Sequence, residues 1–266
     1  MTGPVPRAAR AGRQDSRADR HRRHSPQPGS RQPGQTAPSS RSPAADRTVR
    51  QLLAPTGELK VEFDGVSSMA AFAEAMEGNT GEQDARARLG ALALAVTTVP
   101  EAQRRAIIEG RIGDPEWPTP RLIITAVDTA DGEFLPFDAS SGVRLLDAVT
   151  ASCAVPGVWP PVTVNGRRLM DGGMRSVTNA DLAAGCEKVL VVTPTRGMPG
   201  GLLGPGLDRE IEILEKESEV HVVTADDAAL AAFGSNVLDP ATREPSARAG
   251  RAQAAATLEA ARAFWG

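Results

Sequence analysis

Cysteine is scarce. The 266 residues contain two, Cys153 and Cys186, too few for a disulfide framework and without the spacing of a metal site. Histidine is nearly as rare. Of the three, His21 and His24 lie near the N-terminus, and His221 alternates with Val220 and Val222 in a strand-like run, where packing is its expected role. A Ser-His-Asp triad is therefore poorly supported. No apolar run approaches the roughly 20 residues of a membrane-crossing helix. No apolar segment follows the Arg-rich N-terminus, as a secretory signal would require. The compartment expected is the cytoplasm, and peripheral contact with a membrane surface, which needs no spanning segment, stays compatible with it. The glycines form no phosphate-cradling pattern, so no metal, nucleotide or redox cofactor is expected.

Charge is present but unevenly spread. The formal net charge is −3, yet residues 1–50 carry 11 Arg, no Lys and 3 Asp, a local +8, which leaves −11 on the rest. Residues 1–48 are dense in Arg, Pro, Ser, Gln and Gly and hold almost no large apolar side chain beyond Met1 and Val5. Such a segment cannot bury enough surface to offset the entropy of ordering, so a disordered tail is expected there. An Arg-rich arm also suits nucleic acid or anionic lipid. However, no aromatic side chain interleaves the arginines as single-strand binders prefer, and nucleic acid is not expected as a partner.

Order is expected from Val49. A short apolar stretch runs from Val49 to Leu59, and Ser67/Ser68 precede the helix-forming Met69–Met76. Asp84–Val96 and Glu101–Glu109 read as two more helices, the latter opened by Pro100. All three read as packing helices without chemistry. From Arg121 the character changes. Leu122–Asp128 is a continuous β-rich run of the kind buried on both faces. Asp131-Gly132 reads as a turn and Glu133–Phe137 as the returning strand. Val143–Thr150 reads as a helix that Ala154-Val-Pro-Gly157 ends. Val162–Val164, Asn165-Gly166 and Arg167–Met170 form a two-residue hairpin, whose turn demands two positive φ angles. Thr178 has the spacing of a helix cap, with Asp181 three residues on. Lys188–Thr193 and Glu219–Thr224 are further strands, with a helix at Ile211–Lys216 between them. Ala247–Trp265 is a C-terminal helix. Strands alternating with helices argue an α/β layered fold.

Asp171 is the strongest candidate for chemistry. It closes a strand, and Gly172 and Gly173 follow it, so the carboxylate can be presented on a tight turn. Ligand sites in α/β sheets tend to lie beyond the carboxyl ends of strands. Taken alone, Asp-Gly-Gly is also an ordinary turn sequence.

The surrounding block adds to this. Leu146–Val162 together with Gly166–Leu182 resembles the second catalytic block of bacterial patatin-like phospholipases. The resemblance continues through Lys188–Thr193 and Ala232–Pro240 and covers roughly residues 50 to 266. It implies a three-layer α/β/α sandwich and hydrolysis of lipid acyl esters by a Ser–Asp dyad. By resemblance, Asp171 matches the dyad aspartate, and Gly172 and Gly173 match its Asp-Gly-Gly/Ala motif. The implied partner is a lipid or another acyl ester.

The chain also departs from the family pattern. The family opens with a glycine-rich oxyanion loop and a Gly-x-Ser-x-Gly elbow, whose serine is exposed on a strand-to-helix turn. No Gly-x-Ser-x-Gly occurs here. Gly65-Val-Ser67-Ser-Met fails at its last position, Ser140 and Ser141 lie in a turn, and Ser152 sits inside the matched second block. None follows a buried strand as an elbow requires, so no nucleophile is assigned. The expected organisation is a disordered tail at residues 1–48 and an N-terminally incomplete patatin-like domain at 49–266. The 27 Arg against 3 Lys suit a GC-rich coding sequence, in which a frameshift or misplaced start would yield an Arg/Pro/Ser/Gly-rich tail. The chain is then expected to be inactive toward esters. The alternative is a non-enzymatic pseudo-hydrolase that binds a lipid surface or a protein partner.

Overall fold

The Asn165-Gly166 pair turns the chain through φ values of 49° and 80° and aligns β3 (Val162–Val164) with β4 (Arg167–Asp171). Val164 faces Arg167, and Val162 faces Leu169. This is the hairpin expected from the sequence, on a turn whose twist matches that of the strands. The structure, a computed structural model, describes residues 76–119, 121–197 and 203–266, with Leu59 and Ala73. All of them belong to one unit, Pro43–Gly266. The readings of the tail, of the Val49–Leu59 stretch except Leu59, of the Ser67/Ser68 cap and of Met69–Met76 except Ala73 and Met76 lie outside the described residues.

β4 pairs on its other side with β1 (Ile124–Asp128), and β1 pairs with β2 (Phe134–Phe137), giving a four-stranded antiparallel sheet of order β2-β1-β4-β3. Pro136 is tolerated because β2 is an edge strand and needs no N–H on its outer side. Adjacent residues on these strands point to opposite faces, and each face carries a helix. Ala126, Leu169, Val162 and Val164 pack with Ala148 and Ala151 of α3 (Leu145–Ser152). Val127 and Met170 pack with Leu89 of α1 (Glu82–Ala95). Helix, sheet and helix thus form three layers, and the chain is α/β.

Close approach fixes α1 in its layer. A Cβ at Gly90 would overlap the backbone of Thr129, and one at Gly132 would overlap Gln83. Buried Arg86 donates from Nε to the Gly132 carbonyl at 2.8 Å. α2 (Glu101–Ile112) lies against α3, joined by Arg105 to Asp147 at 2.9 Å.

A second, parallel sheet follows. β5 (Lys188–Thr193) pairs with β6 (Glu219–Thr224) in register, Val191 facing Val222. Val189 and Val191 are buried against Leu207 and Leu214 of α4 (Leu207–Leu214), whereas Leu190 and Val192 on the opposite face are exposed. α5 (Asp227–Phe233) and the long α6 (Arg243–Trp265) complete the described chain. His221 stacks on Phe264 with ring centroids 5.4 Å apart, the packing role expected for it.

Candidate functional site around Asp171

Asp171 closes β4 directly opposite Ala126 of β1. By alternation it shares the face of Leu169, the one covered by α3. Its backbone N–H donates to the Ala154 carbonyl at 3.0 Å, which ties the strand end to the break that terminates α3. Beyond it the chain turns at once into a 3₁₀ segment, Gly172–Met174, which Asp171 caps by accepting from the Gly173 N–H at 2.7 Å. Gly172 is buried so close to Thr125 of β1 that a Cβ would overlap its hydroxyl and carbonyl. The two glycines therefore do different work. One lets the turn lie on the sheet, and the other holds the carboxylate.

That carboxylate is perturbed. Burial raises its pKa from the usual value to about 6, against the opposing effect of the Gly173 N–H. A carboxyl group that titrates near neutrality is suited to proton transfer.

The loop beyond is braced by buried polar contacts. Asn179, in the left-handed region at φ 48°, donates from Nδ2 to the carbonyls of Gly172 and Ser176 at 3.2 and 2.9 Å. Arg175 grips Asp181 with two parallel hydrogen bonds of 2.9 and 2.6 Å, reaches Asn179 Oδ1 at 2.9 Å and lies 4.4 Å over the Phe134 ring. Here the expectation for Thr178 needs correction. The cap of the Ala180–Ala183 turn is Asn179, and the Thr178 hydroxyl instead donates to the carboxylate of fully buried Glu210. The long-range α4 contact outcompetes the local one.

Among the described residues no serine hydroxyl bonds Asp171. Ser140 Oγ donates to Asp138 Oδ1 at 2.6 Å within an exposed turn, a local motif that only looks like a Ser–Asp pair. Ser176 Oγ accepts from the Thr178 and Asn179 N–H groups. Ser152 is the last residue of α3. Ser67 and Ser68 lie outside the described residues.

Cys153, which the sequence alone presents only as a free thiol, lies within electrostatic reach of Asp171. Burial pushes the Cys153 thiol up and the Asp171 charge adds to this, while Arg104 and Arg111 of α2 pull it down. Arg104 is buried with its guanidinium 3.8 Å over the ring of Trp159. Arg104, Arg111 and Trp159 line a cleft of about 630 Å³ that extends to the chain after β5 and to the α5–α6 connection. α2, read from sequence as packing alone, therefore contributes to the surroundings of the site. Its arginines occupy ordinary helical positions seven residues apart, and only the packing of α2 on α3 reveals where they point. No group of three or more His, Cys, Asp or Glu suited to a metal occurs among the described residues.

Comparison with known proteins adds one finding. A family model described as patatin-like phospholipase matches residues 20–184, more than half of the chain. The match spans β1 to β4 with Asp171-Gly172-Gly173 and opens inside the segment 1–48. No curated protein matches the chain at a significant level.

Proposed function

The chain belongs to the patatin-like phospholipase family, and on that premise we propose that Asp171 is the base carboxylate of a lipid acyl hydrolase site that lacks its nucleophile in this chain. Membership places the chain among lipid-acting acyl hydrolases; the role of each residue is our reading. The observation that carries it is the placement of Asp171. It stands at the end of β4, braced by the Gly173 N–H, with its pKa raised to about 6 by burial. In the ionised form such a carboxylate accepts a proton from a hydroxyl nucleophile as that hydroxyl attacks an acyl carbonyl. Gly-x-Ser-x-Gly is absent from the sequence, and no described serine bonds Asp171. The chain as given is then a binder of acyl lipids with hydrolysis several orders of magnitude below that of a complete dyad.

A fluorophosphonate probe together with a p-nitrophenyl acyl ester tests this. The expected outcome is no serine labelling and no turnover above the uncatalysed background. A labelled serine with turnover lost in Asp171→Asn would retain the base and refute the missing nucleophile. Turnover that persists unchanged in Asp171→Asn would refute the role of Asp171. A second reading, a pseudo-hydrolase that docks on a lipid surface or protein partner, is favoured by the exposed apolar face of β5. No helix among the described residues is long and apolar enough to cross a membrane, so any lipid contact through them is at the surface.

A further inference from the structure

The cleft lined by Arg104 and Trp159 has two characters at once. Its lining includes Arg104, Arg111 and Arg243 together with Trp159, Phe233 and Val237, and the Arg104 guanidinium lies 3.8 Å over the Trp159 ring. Its volume of about 630 Å³ falls within the range of roughly 300–1,000 Å³ usual for small-molecule sites. Val237 is 60% exposed, apolar surface that gains by being covered. The chain that follows β5 lines it, so the cleft lies beyond the carboxyl end of a parallel strand, where α/β folds bind ligands.

Charge identifies the occupant further. Three arginines face the cleft against one lining carboxylate, Asp239, and Asp239 is already occupied in capping the turn at Pro240–Thr242. Each of the three arginines also takes part in an interaction inside the protein. An incoming anion would therefore share a guanidinium already held in place. Guanidinium suits carboxylate and phosphate alike, because its planar fork makes paired hydrogen bonds to either.

We propose that this cleft binds a single-chain amphiphile with an anionic head, carboxylate or phosphate, its acyl chain lying along Trp159, Phe233 and Val237. The inference rests on the acyl-lipid reading above and adds head-group selectivity to it. Binding needs no nucleophile, so it is testable in the chain as it stands.

Calorimetric titration of the full chain with four probes, each below its micelle concentration, provides the test. They are oleate, 1-oleoyl-lysophosphatidate, neutral 1-monooleoylglycerol and inorganic phosphate. At least one anionic amphiphile should bind about 10-fold more tightly than monooleoylglycerol, as expected for one or two charge-assisted contacts, and phosphate alone should not bind. Preference for oleate assigns a carboxylate head, and preference for lysophosphatidate a phosphate head. Raising salt should weaken the anionic ligand and leave the neutral one unchanged. Arg111→Gln with Arg243→Gln should bring the preference below about 3-fold. If that variant fails to fold, the salt series on the unaltered chain decides the same question. Equal binding of monooleoylglycerol would overturn the inference and leave the acyl-lipid reading standing. Binding of none of the three amphiphiles would overturn both.

Discussion

The backbone N–H of Gly173 donates to Asp171 Oδ1 at 2.7 Å, yet the carboxyl pKa still stands at about 6. A hydrogen bond to the charged form lowers the pKa of an acid, and burial raises it; at this position burial prevails. In the unfolded chain the same group returns to about 3.8. Between these values the folded protein binds the extra proton, so Asp171 makes stability fall as pH rises from about 4 to about 6, with no further change above. The full shift corresponds to roughly 3 kcal/mol, and the half-buried position makes that an upper limit. Asp171→Asn should remove this component. Urea denaturation of both proteins at pH 4 and pH 7 checks it: the parent should lose about 1–3 kcal/mol more than the variant over that interval. Equal losses would show that Asp171 titrates normally.

Two glycines should respond to alanine with opposite signs. Gly172 lies against Thr125 where a Cβ has no room, so Gly172→Ala forces β1 and the 3₁₀ turn apart at a cost of about 1–3 kcal/mol. Gly110 sits inside α2 with nothing within 4 Å of a Cβ. There alanine improves helix propensity, and Gly110→Ala should stabilise by about 0.5–1 kcal/mol. Urea midpoints at neutral pH measure both. A neutral Gly172→Ala would mean that the close approach of turn and sheet is not required.

Much of this was legible in the chain because the signals were local. Asn-Gly between two short β-rich runs demands positive φ at adjacent residues, and the hairpin at Val162–Asp171 followed with its register. The 131–137 turn and return, the strand at Lys188 and the helix boundaries were similarly local, to within a few residues. What escaped depended on contacts distant in sequence. Thr178 has the spacing of a cap, but Glu210, 32 residues away, takes its hydroxyl. The guanidinium of Arg104 gains its position from Trp159, which nothing in the Glu101–Ile112 pattern foretells. Asp171 was identified as a strand-end carboxylate. Its perturbed pKa was not, because burial arises from the packing of α3 and the Ala154 break, not from the Asp-Gly-Gly triplet.

Arg175 should be the most sensitive polar position near the site. Burial raises the Asp181 pKa, but the hydrogen bonds and charge of Arg175 more than offset it, so the carboxyl lies below its usual value. Stability from this pair is present above the ordinary carboxylate pKa and is lost as pH falls through the depressed one. Arg175→Met leaves the partly buried Asp181 without its cation. Removing one partner of a buried pair costs about 3–5 kcal/mol, and the partial exposure of this one, with side chains 16% and 18% accessible, places the expected loss near the lower end. Arg175→Lys should recover only part, since an ammonium cannot make two parallel hydrogen bonds to one carboxylate. Thermal melts at pH 7 and pH 3 distinguish the cases: the gap between parent and Arg175→Met should narrow at the lower pH. A gap of constant size would assign the loss to packing on Phe134 instead.

The exposed face of β5 predicts association. Parallel sheets are normally covered on both faces, yet Val192 is 71% exposed and Leu190 39%, with α4 covering only the side of Val189 and Val191. A strand that presents branched apolar side chains to water is a ready contact for another surface. Val192→Lys adds a charge at a largely exposed position, so stability should change by no more than about 0.5 kcal/mol. Self-association should fall, since a strand with a lysine on its exposed face resists pairing. Sedimentation velocity over a range of concentrations measures this, alongside flotation with neutral phosphatidylcholine vesicles. Loss of oligomer in Val192→Lys would make the face a contact between copies, and loss of vesicle binding alone would make it the lipid-facing side. A parent chain that is monomeric and does not float would show that exposed apolar strand residues here are tolerated without a partner.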